Sequence, residues 1–261
     1  MKLQAVVLDW AGTTVDYGSL APVAAMERVF AEVGIVLTPD EVRAPMGLPK
    51  KDHVGAILGM PRVADALRHA PGADVDTLYA RFIPLQMECL AAHSDVIEGV
   101  PAAVARMRAR GLAIGSTTGY TRAMLDVVAA AARAQGYAPD LALCPDDAGG
   151  GRPMPWMMYT AAVRLRVYPM WAIVKVGDTA SDVEEGRNAG SWTVGVALTG
   201  NEIGLSRAAW DAMPAGEQTV ALTAARERLR QAGADYVVDA VADLDTCFDD
   251  IDARLARGER P

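Results

Sequence analysis

The sequence has few cysteines, and their spacing excludes two kinds of site. Among its 261 residues only Cys89, Cys144 and Cys247 are cysteines, and none lies in a CxxC motif of the kind that binds zinc. Scattered cysteines are typical of reduced core thiols rather than of disulfides. The 3 histidines show no HxxxH spacing either. We therefore expect a cytoplasmic protein without a zinc site or a disulfide framework.

Positive charge and long apolar runs are also scarce. Lys and Arg number 25 against 33 Asp and Glu, and the formal net charge is -8. Such a chain lacks the basic face that nucleic acid or an anionic membrane requires. No apolar stretch approaches the roughly 18 residues of a membrane helix. The short apolar run after one Lys at the N-terminus is not expected to form a signal peptide.

The chain does have the composition of a globular protein, with 51% hydrophobic residues, and its first apolar run is Ala5-Val6-Val7-Leu8. Such a run predicts a strand buried on both faces of a parallel sheet. It ends in Asp9, which lies at the crevice where open α/β sheets bind ligands. From this segment alone, Asp9 is equally well explained as a residue that ends the strand and caps a turn.

Between residues 20 and 95 the pattern is helical, and no strand is apparent. One helix is predicted from Pro49 to Leu58, and Pro84 is expected to kink or break the longest helix. A helical block inserted after the first strand of an α/β protein indicates a cap domain. We therefore expect an α/β core of residues 1–18 and 98–261 with a helical cap of residues 19–97.

From Gly99 onward, strands and helices alternate. This alternation predicts right-handed crossovers and a doubly wound, Rossmann-like parallel sheet. The predicted strands after the first cover residues 112–118, 141–144, 172–176, 192–197 and 236–238. The predicted helices between them cover residues 101–110, 121–134, 155–165 and 217–231.

Polar side chains follow several of these strands, as Asp9 follows the first. Asp178 and Asp182 are four residues apart, so a helix that opens between them would place both carboxylates on one face. Acids with a backbone carbonyl form a hard oxygen site that suits Mg²⁺. The Thr118 hydroxyl and the Arg152 guanidinium suit a phosphoryl group. Beside such a metal, Asp9 is a candidate nucleophile that forms an acyl phosphate.

Taken in chain order, Asp9, Thr118, Arg152 and the pair Asp178 and Asp182 resemble the four motifs of the haloacid dehalogenase superfamily. The phosphatases of that superfamily carry a second Asp two residues after the nucleophile. Here that position is Ala11, and the segment from Asp9 to Thr14 is similar instead to the phosphonoacetaldehyde hydrolase branch. The similarity continues through Met46-Gly47-Leu48-Pro49-Lys50-Lys51-Asp52-His53, Gly115-Ser116-Thr117-Thr118-Gly119-Tyr120, Gly151-Arg152-Pro153, Pro155-Trp156 and Lys175-Val176-Gly177-Asp178-Thr179. One departure is Ser19, at a position where members of the branch can carry Cys.

The resemblance implies a Mg²⁺-dependent hydrolase with a haloacid dehalogenase type of core. It would cleave phosphonoacetaldehyde into acetaldehyde and phosphate through a Schiff base on Lys50 and an aspartyl phosphate on Asp9, with His53 as a catalytic partner. It further implies a homodimer formed through cap helices. The implied substrate contacts are Met46, Gly47, Thr118, Gly119, Tyr120 and Arg152. The implied metal site consists of Asp9, the backbone carbonyl of Ala11, Asp178 and Asp182, the last either as a ligand or behind the ligands.

The sequence gives a separate reason for a reactive amine at Lys50. Pro49 favours the first position of a helix, so Lys50 falls in the first turn, where the helix dipole opposes a positive charge. Neighbouring Lys51 and burial would act in the same direction and favour a neutral, nucleophilic amine. His53 lies three residues on, on the same helical face. A solvated lysine and a partly exposed histidine remain the ordinary alternatives.

Two other functions fit the same fold. A phosphomonoester phosphatase or phosphomutase of the superfamily is the first, and Ala11 argues against it because that reaction uses an acid there. A binding or regulatory protein that has kept the fold but lost catalytic activity is the second, and the intact motifs argue against it. For the dimer, Val23, Met26 and Phe30 form an apolar stripe that suits either an interface or the core.

Overall fold

The structure is a computed structural model that describes residues 1–68 and 73–261. Residues 69–72, which fall among the predicted cap helices, lie outside the described residues. The described chain contains one parallel sheet of 6 strands in the order β3-β2-β1-β4-β5-β6. Its strands are β1 (Ala5–Leu8), β2 (Ala113–Thr117), β3 (Leu141–Leu143), β4 (Ile173–Gly177), β5 (Trp192–Val196) and β6 (Tyr236–Val238). The predicted fold class is confirmed.

The first strand lies in the middle of the sheet, and this position fixes the site. All four residues of β1 are buried, and β1 pairs with β2 on one side and β4 on the other. The Asp9 N–H continues this pairing by donating to the Val176 carbonyl at 2.9 Å. Because all strands are parallel, the polar residues that follow β1, β2 and β4 meet at one edge of the sheet.

Helices fill the chain between β1 and β2. These are α1 (Leu20–Ala31), α2 (Pro39–Arg43), α3 (Lys50–Leu58), α4 (Pro61–Leu67), α5 (Val75–Leu90) and α6 (Val100–Ala109). The remaining helices follow the later strands. They are α7 (Arg122–Ala134), α8 (Pro145–Ala148), α9 (Trp156–Leu165), α10 (Ala180–Ala189), α11 (Arg207–Ala212), α12 (Ala215–Gln231) and α13 (Asp245–Ala256).

The expectation that Pro84 might break the longest cap helix is wrong in its stronger form. Helix α5 runs through Pro84 without ending there. Pro84 lies on the exposed side, while Leu78, Phe82 and Leu90 are fully buried. The hydrophobic contacts of that buried face hold the helix together across the hydrogen bond that proline removes.

The apolar stripe on α1 belongs to the core. Met26 and Phe30 are both 0% exposed and lie in the same hydrophobic cluster as Phe82. Of the three candidates for a dimer interface, only Val23 retains partial exposure. Core burial therefore accounts for Met26 and Phe30, and the homodimer stays a prediction.

Three helices of the core were not predicted, namely α8, α11 and α13. Helix α8 has only 4 residues and α11 only 6, too short for a clear periodicity. Helix α13 buries Phe248, Ile251 and Leu255, a helical spacing that the many acids of this segment obscure. In the described part of the chain, no helix combines the length and the apolar character needed to cross a membrane.

Candidate active site

A cleft of about 270 Å³ opens where β1 and β2 end, beneath the first turn of α3. The residues proposed from the sequence line this cleft, except His53, Asp178 and Asp182. Two further lining residues, Ser19 and Pro22, lie in the helical segment between β1 and β2. The complete lining consists of Asp9, Ala11, Ser19, Pro22, Met46, Gly47, Lys50, Thr118, Gly119, Tyr120, Arg152 and Thr179.

Three buried carboxylates lie close together, and of these only Asp9 lines the cleft. Asp9, Asp178 and Asp182 each offer an oxygen, and these oxygens all lie within 4.8 Å of one another. Burial and the charge of Asp9 together raise the pKa of Asp178 well above its usual value. Carboxylates that are buried and lie this near one another require a cation beside them to remain ionised. The triad is typical of the metal site of haloacid dehalogenase-like hydrolases, and its hard oxygen donors suit a divalent cation.

The local contacts of Asp178 orient its carboxylate. The Thr13 hydroxyl donates to Asp178 Oδ1 at 2.7 Å, and the Asn201 N–H donates to Oδ2 at 2.8 Å. Helix α10 begins at Ala180, between Asp178 and Asp182 as expected, and the two carboxylates meet, but Asp178 precedes the helix and so does not lie on its face. Proximity comes instead from the turn at the end of β4.

Asp182 is held differently, by cations. It caps α10 together with Thr179, and its Oδ1 lies 3.0 Å from Arg152 Nη2 and 2.8 Å from Lys175 Nζ. Burial acts to raise the pKa of Asp182, but the charges of Arg152 and Lys175 outweigh burial and lower it. Asp182 therefore stays ionised, and its charge helps to raise the pKa values of Asp9 and Asp178.

Arg152 lies directly beside the candidate nucleophile. Its Nη2 donates to Asp9 Oδ1 at 2.7 Å and to the Thr117 carbonyl at 2.8 Å, while Nε donates to Glu185 Oε2 at 3.0 Å. Burial raises the pKa of Asp9, and the charge of Arg152 opposes this effect in part. The same guanidinium that holds Asp9 is thus placed to receive the oxygens of a phosphoryl group on it.

Lys175 and Glu185 form a buried cluster behind Arg152, and no role was predicted for either residue from the sequence. Lys175 is 1% exposed, and its Nζ donates to the Thr117 hydroxyl at 2.9 Å and lies 3.3 Å from Glu185 Oε2. Glu185 is itself fully buried. A lysine in the middle of the otherwise apolar strand β4 was the available signal, since lysine is almost never buried without a partner.

Lys50 is the first residue of α3, with Pro49 just before the helix. It is 5% exposed, and its Nζ lies 5.2 Å from the centre of the Tyr120 ring. Burial lowers the pKa of Lys50 to about 8, against the opposing charge of Asp9. A substantial fraction of this amine is therefore neutral near physiological pH.

The sequence assigned part of this effect to Lys51, and that assignment is wrong. The Lys51 side chain is 53% exposed, and its Nζ lies 2.5 Å from Asp76 Oδ1. Its charge is thus balanced at the surface and faces away from Lys50. Burial, which was also expected from the sequence, is the main cause of the lowered pKa of Lys50.

His53 lies one turn after Lys50, inside the cap. It is 0% exposed, and its Nε2 lies 2.8 Å from the Val42 carbonyl, so Nε2 carries the proton. Burial and the charge of Lys50 lower the pKa of His53 to about 3, and the ring is neutral. Among the described residues Nδ1 has no hydrogen-bond partner. His53 does not line the cleft, and its catalytic role stays a prediction.

The loop before α3 sits tightly on the core. Gly47 has φ +88°, and a Cβ there would lie 2.3 Å from the Ser181 hydroxyl. That hydroxyl donates to the Met46 carbonyl at 2.9 Å. Only glycine allows this approach, which seats the loop on α10 and brings the following Lys50 into the cleft.

Comparisons with known proteins agree with this geometry. The haloacid dehalogenase-like hydrolase family matches residues 3–190. The chain is 46% identical to a phosphonoacetaldehyde hydrolase of Nitratidesulfovibrio vulgaris, over 99% of this chain and 94% of the relative, and 46% identical to one of Bacillus cereus, over 97% of each. A crystal structure of a phosphonoacetaldehyde hydrolase-like protein from Oleispira antarctica superposes with a TM-score of 0.97 at 41% identity, covering 100% of this chain and 96% of that one. With a shared fold, full-length similarity and Ala11 in place of the phosphatase acid, the chain belongs to the phosphonoacetaldehyde hydrolase family of the haloacid dehalogenase-like hydrolases.

Proposed function

We propose that this protein hydrolyses the carbon–phosphorus bond of phosphonoacetaldehyde to give acetaldehyde and phosphate. The main support is that a buried lysine with a pKa of about 8 and a buried aspartate line the same cleft. Lys50 supplies an amine for the aldehyde, and Asp9 supplies a carboxylate for the phosphorus. We further propose that residues 19–97 form the cap that brings these two groups together.

The Lys50 amine provides a stable leaving group for cleavage of the carbon–phosphorus bond. Breaking the bond directly would leave a carbanion, which is a poor leaving group. The Lys50 amine instead condenses with the aldehyde, forming a C=N bond and releasing water. Once protonated, the imine accepts the electron pair of the carbon–phosphorus bond, so the departing group is a neutral enamine.

Asp9 attacks phosphorus in line with that bond. The new O–P bond forms as the C–P bond breaks, while Arg152 and Thr118 donate to the phosphoryl oxygens. The enamine then gains a proton at carbon, and water releases acetaldehyde and restores the Lys50 amine. A second water hydrolyses the aspartyl phosphate, so the net reaction consumes one water.

The buried carboxylates are the candidate ligands of a metal ion. We propose that Asp9, Asp178 and the backbone carbonyl of Ala11 hold Mg²⁺, with Asp182 behind them as the partner of Arg152 and Lys175. When bound, the ion would neutralise negative charge on the carboxylates and on the transferring phosphoryl group. Burial, together with the charges of Asp9 and Asp182, raises the pKa of Asp178, and a bound cation would oppose this effect.

The phosphatase alternative lacks a group it needs. A phosphomonoester leaves as an alkoxide, which requires a proton from an acid, and Ala11 lines the cleft at the position of that acid. The enamine needs no proton on oxygen. The proposed function therefore explains Ala11.

The decisive experiment follows both products. Purified enzyme with Mg²⁺ should release acetaldehyde and phosphate from phosphonoacetaldehyde in equal amounts. A generic ester such as p-nitrophenyl phosphate, assayed in parallel, should react far more slowly. Efficient ester hydrolysis without cleavage of phosphonoacetaldehyde would favour the phosphatase instead.

Removal of the metal should abolish phosphate release but leave imine formation intact. Excess chelator should stop turnover, and added Mg²⁺ should restore it. Asp178→Ala should raise the Mg²⁺ concentration for half-maximal activity by about 100-fold or more, since losing a group that only supports a ligand already costs about 10- to 100-fold. Borohydride trapping of acetaldehyde on Lys50 should proceed in chelator. Full turnover in chelator would remove the metal from the proposal.

The nucleophilic form of Lys50 should appear as pH rises through about 8. Its pKa lies below the usual lysine value, so the amine loses its proton at lower pH than a surface lysine does. Competitive labelling with acetic anhydride across a pH series, read by mass spectrometry, should place the midpoint for Lys50 near that pH. Lys51, exposed and paired with Asp76, is the internal control, and because Asp76 raises the pKa of its amine it should titrate at higher pH than Lys50. Coincident profiles for the two lysines would contradict this prediction.

A further inference from the structure

The loop that follows β5, residues 198–205 (the β5 loop), touches three parts of the site. The Thr199 hydroxyl donates to the Gly12 carbonyl at 2.7 Å, close to the nucleophile. The Thr199 carbonyl accepts from the Gly18 N–H at 2.7 Å, where the chain enters the cap. The Asn201 N–H donates to Asp178 Oδ2. No motif of the sequence indicated this loop.

A cap arginine is seated in the β5 loop. Arg43 is the last residue of α2, and its guanidinium donates to the Gly18 carbonyl at 3.0 Å, to Asn201 Oδ1 at 3.2 Å and to the Gly204 carbonyl at 2.9 Å. The Asn201 side-chain amide returns a bond to the Arg43 carbonyl at 3.3 Å. The guanidinium thus binds oxygens of two core segments, one at Gly18, where the chain enters the cap, and the other in the β5 loop.

The seat is shaped for this side chain. Gly204 has φ +65°, and a Cβ there would lie 2.5 Å from Arg43 Cζ. Any other residue at 204 would displace the guanidinium or the loop. The planar fork reaches acceptors in several directions at once, which a lysine ammonium on the same stem cannot do.

We propose that Arg43 is a latch, a positioning residue that holds the cap closed and thereby orders the metal site. When Arg43 is seated, the same Asn201 that binds it through its side chain also directs its N–H to Asp178. Closure of the cap over the cleft and fixation of Asp178 are therefore coupled through one residue of the β5 loop. This inference deepens the proposed function and rests on it for its catalytic consequence.

Loss of the latch should weaken both activity and metal binding. Arg43→Ala removes several charge-assisted hydrogen bonds, and we expect kcat/KM for phosphonoacetaldehyde to fall by about 10- to 100-fold. Calorimetry with Mg²⁺ alone should show affinity reduced by about 10-fold, because Asp178 loses its support. Arg43→Lys keeps the charge and most of the bulk and should recover only part of either loss. Full recovery in Arg43→Lys would overturn the latch.

The matched control is Arg62, another cap arginine. Its partners, Glu41 and the Val36 carbonyl, both lie in the cap. Arg62→Ala should leave Mg²⁺ affinity and kcat/KM unchanged within about twofold, as surface ion pairs contribute little. Equal losses in the Arg62 and Arg43 variants would show a general effect on the cap and overturn the latch.

Hydrogen exchange without substrate tests the coupling itself. Arg43→Ala should speed amide exchange in residues 46–48 and in the β5 loop together, and Asn201→Ala should do the same. The double variant should lose less than the sum of the two single variants, because both remove the contact between the Arg43 guanidinium and the Asn201 side chain. Unchanged exchange in the β5 loop, or additive losses of Mg²⁺ affinity, would overturn the latch. These readouts need no substrate, so inactivity of the wild type toward phosphonoacetaldehyde would count against the proposed function alone.

Discussion

Asp9→Asn should lower the rate of phosphate release by about 10⁴-fold or more, the scale on which removal of a nucleophile acts in enzymes. An amide oxygen does not form the acyl phosphate, and the substitution also removes one carboxylate from the metal triad. Release of phosphate from phosphonoacetaldehyde, measured under single-turnover conditions with saturating Mg²⁺, gives the rate. Asp52→Asn, an exposed change on α3, is the matched control and should keep wild-type activity.

The loss should occur in a folded protein that still forms the imine. Burial raises the pKa of Asp9, which means that its ionised form costs stability at neutral pH, so a neutral amide there should not lower the melting temperature. Removing the charge of Asp9 also removes a force that keeps Lys50 protonated. Borohydride trapping of acetaldehyde should thus be at least as fast as in the wild type. Phosphate release at the wild-type rate would refute Asp9 as the nucleophile.

Much of the fold was predictable because its signals are local. The run from Ala5 to Leu8 is uniformly apolar and becomes the central strand, buried over its whole length. The polar residues that end β1, β2 and β4 meet because parallel strands share one edge. Helix boundaries depended on single residues, such as Thr121, which was predicted as the first residue of a helix and instead caps α7 with its side chain.

What the sequence did not yield comes from contacts between distant segments. Lys175 and Glu185 meet Arg152 only when the sheet is assembled, and Asn201 reaches Asp178 from another loop. The position of Lys51 depends on its partner Asp76, which lies on a different cap helix. Periodicity records which face of an element is buried, whereas pairings of this kind require the tertiary structure.

Lys50→Arg tests the step that separates the proposed function from a phosphatase. Arginine keeps the positive charge and much of the reach but does not condense with an aldehyde. Without the imine the carbon–phosphorus bond has no electron acceptor, so activity should fall by about 10⁴-fold or more. Because Lys50 is buried, Lys50→Met serves as a second variant that fits the same space without the amine. Both should lack turnover while still melting cooperatively.

Covalent trapping identifies the lysine directly. Borohydride added to the wild type with acetaldehyde should reduce the imine, fix an ethyl group on one lysine and inactivate the enzyme irreversibly. Borohydride alone should have no effect. Peptide mapping should place the group on Lys50, since its buried amine has the lower pKa, and leave the exposed neighbour Lys51 unmodified.

The variants at positions 9, 50 and 51 together order the reaction. Lys51→Arg should trap acetaldehyde and turn over like the wild type, because its ion pair with Asp76 lies at the surface. Asp9→Asn should trap without releasing phosphate, and Lys50→Arg should do neither, because the imine must precede attack on phosphorus. If Lys50→Arg released phosphate at an appreciable rate, or if the ethyl group mapped to another lysine, bond cleavage would not depend on the imine. The phosphatase would then be the better account of this cleft.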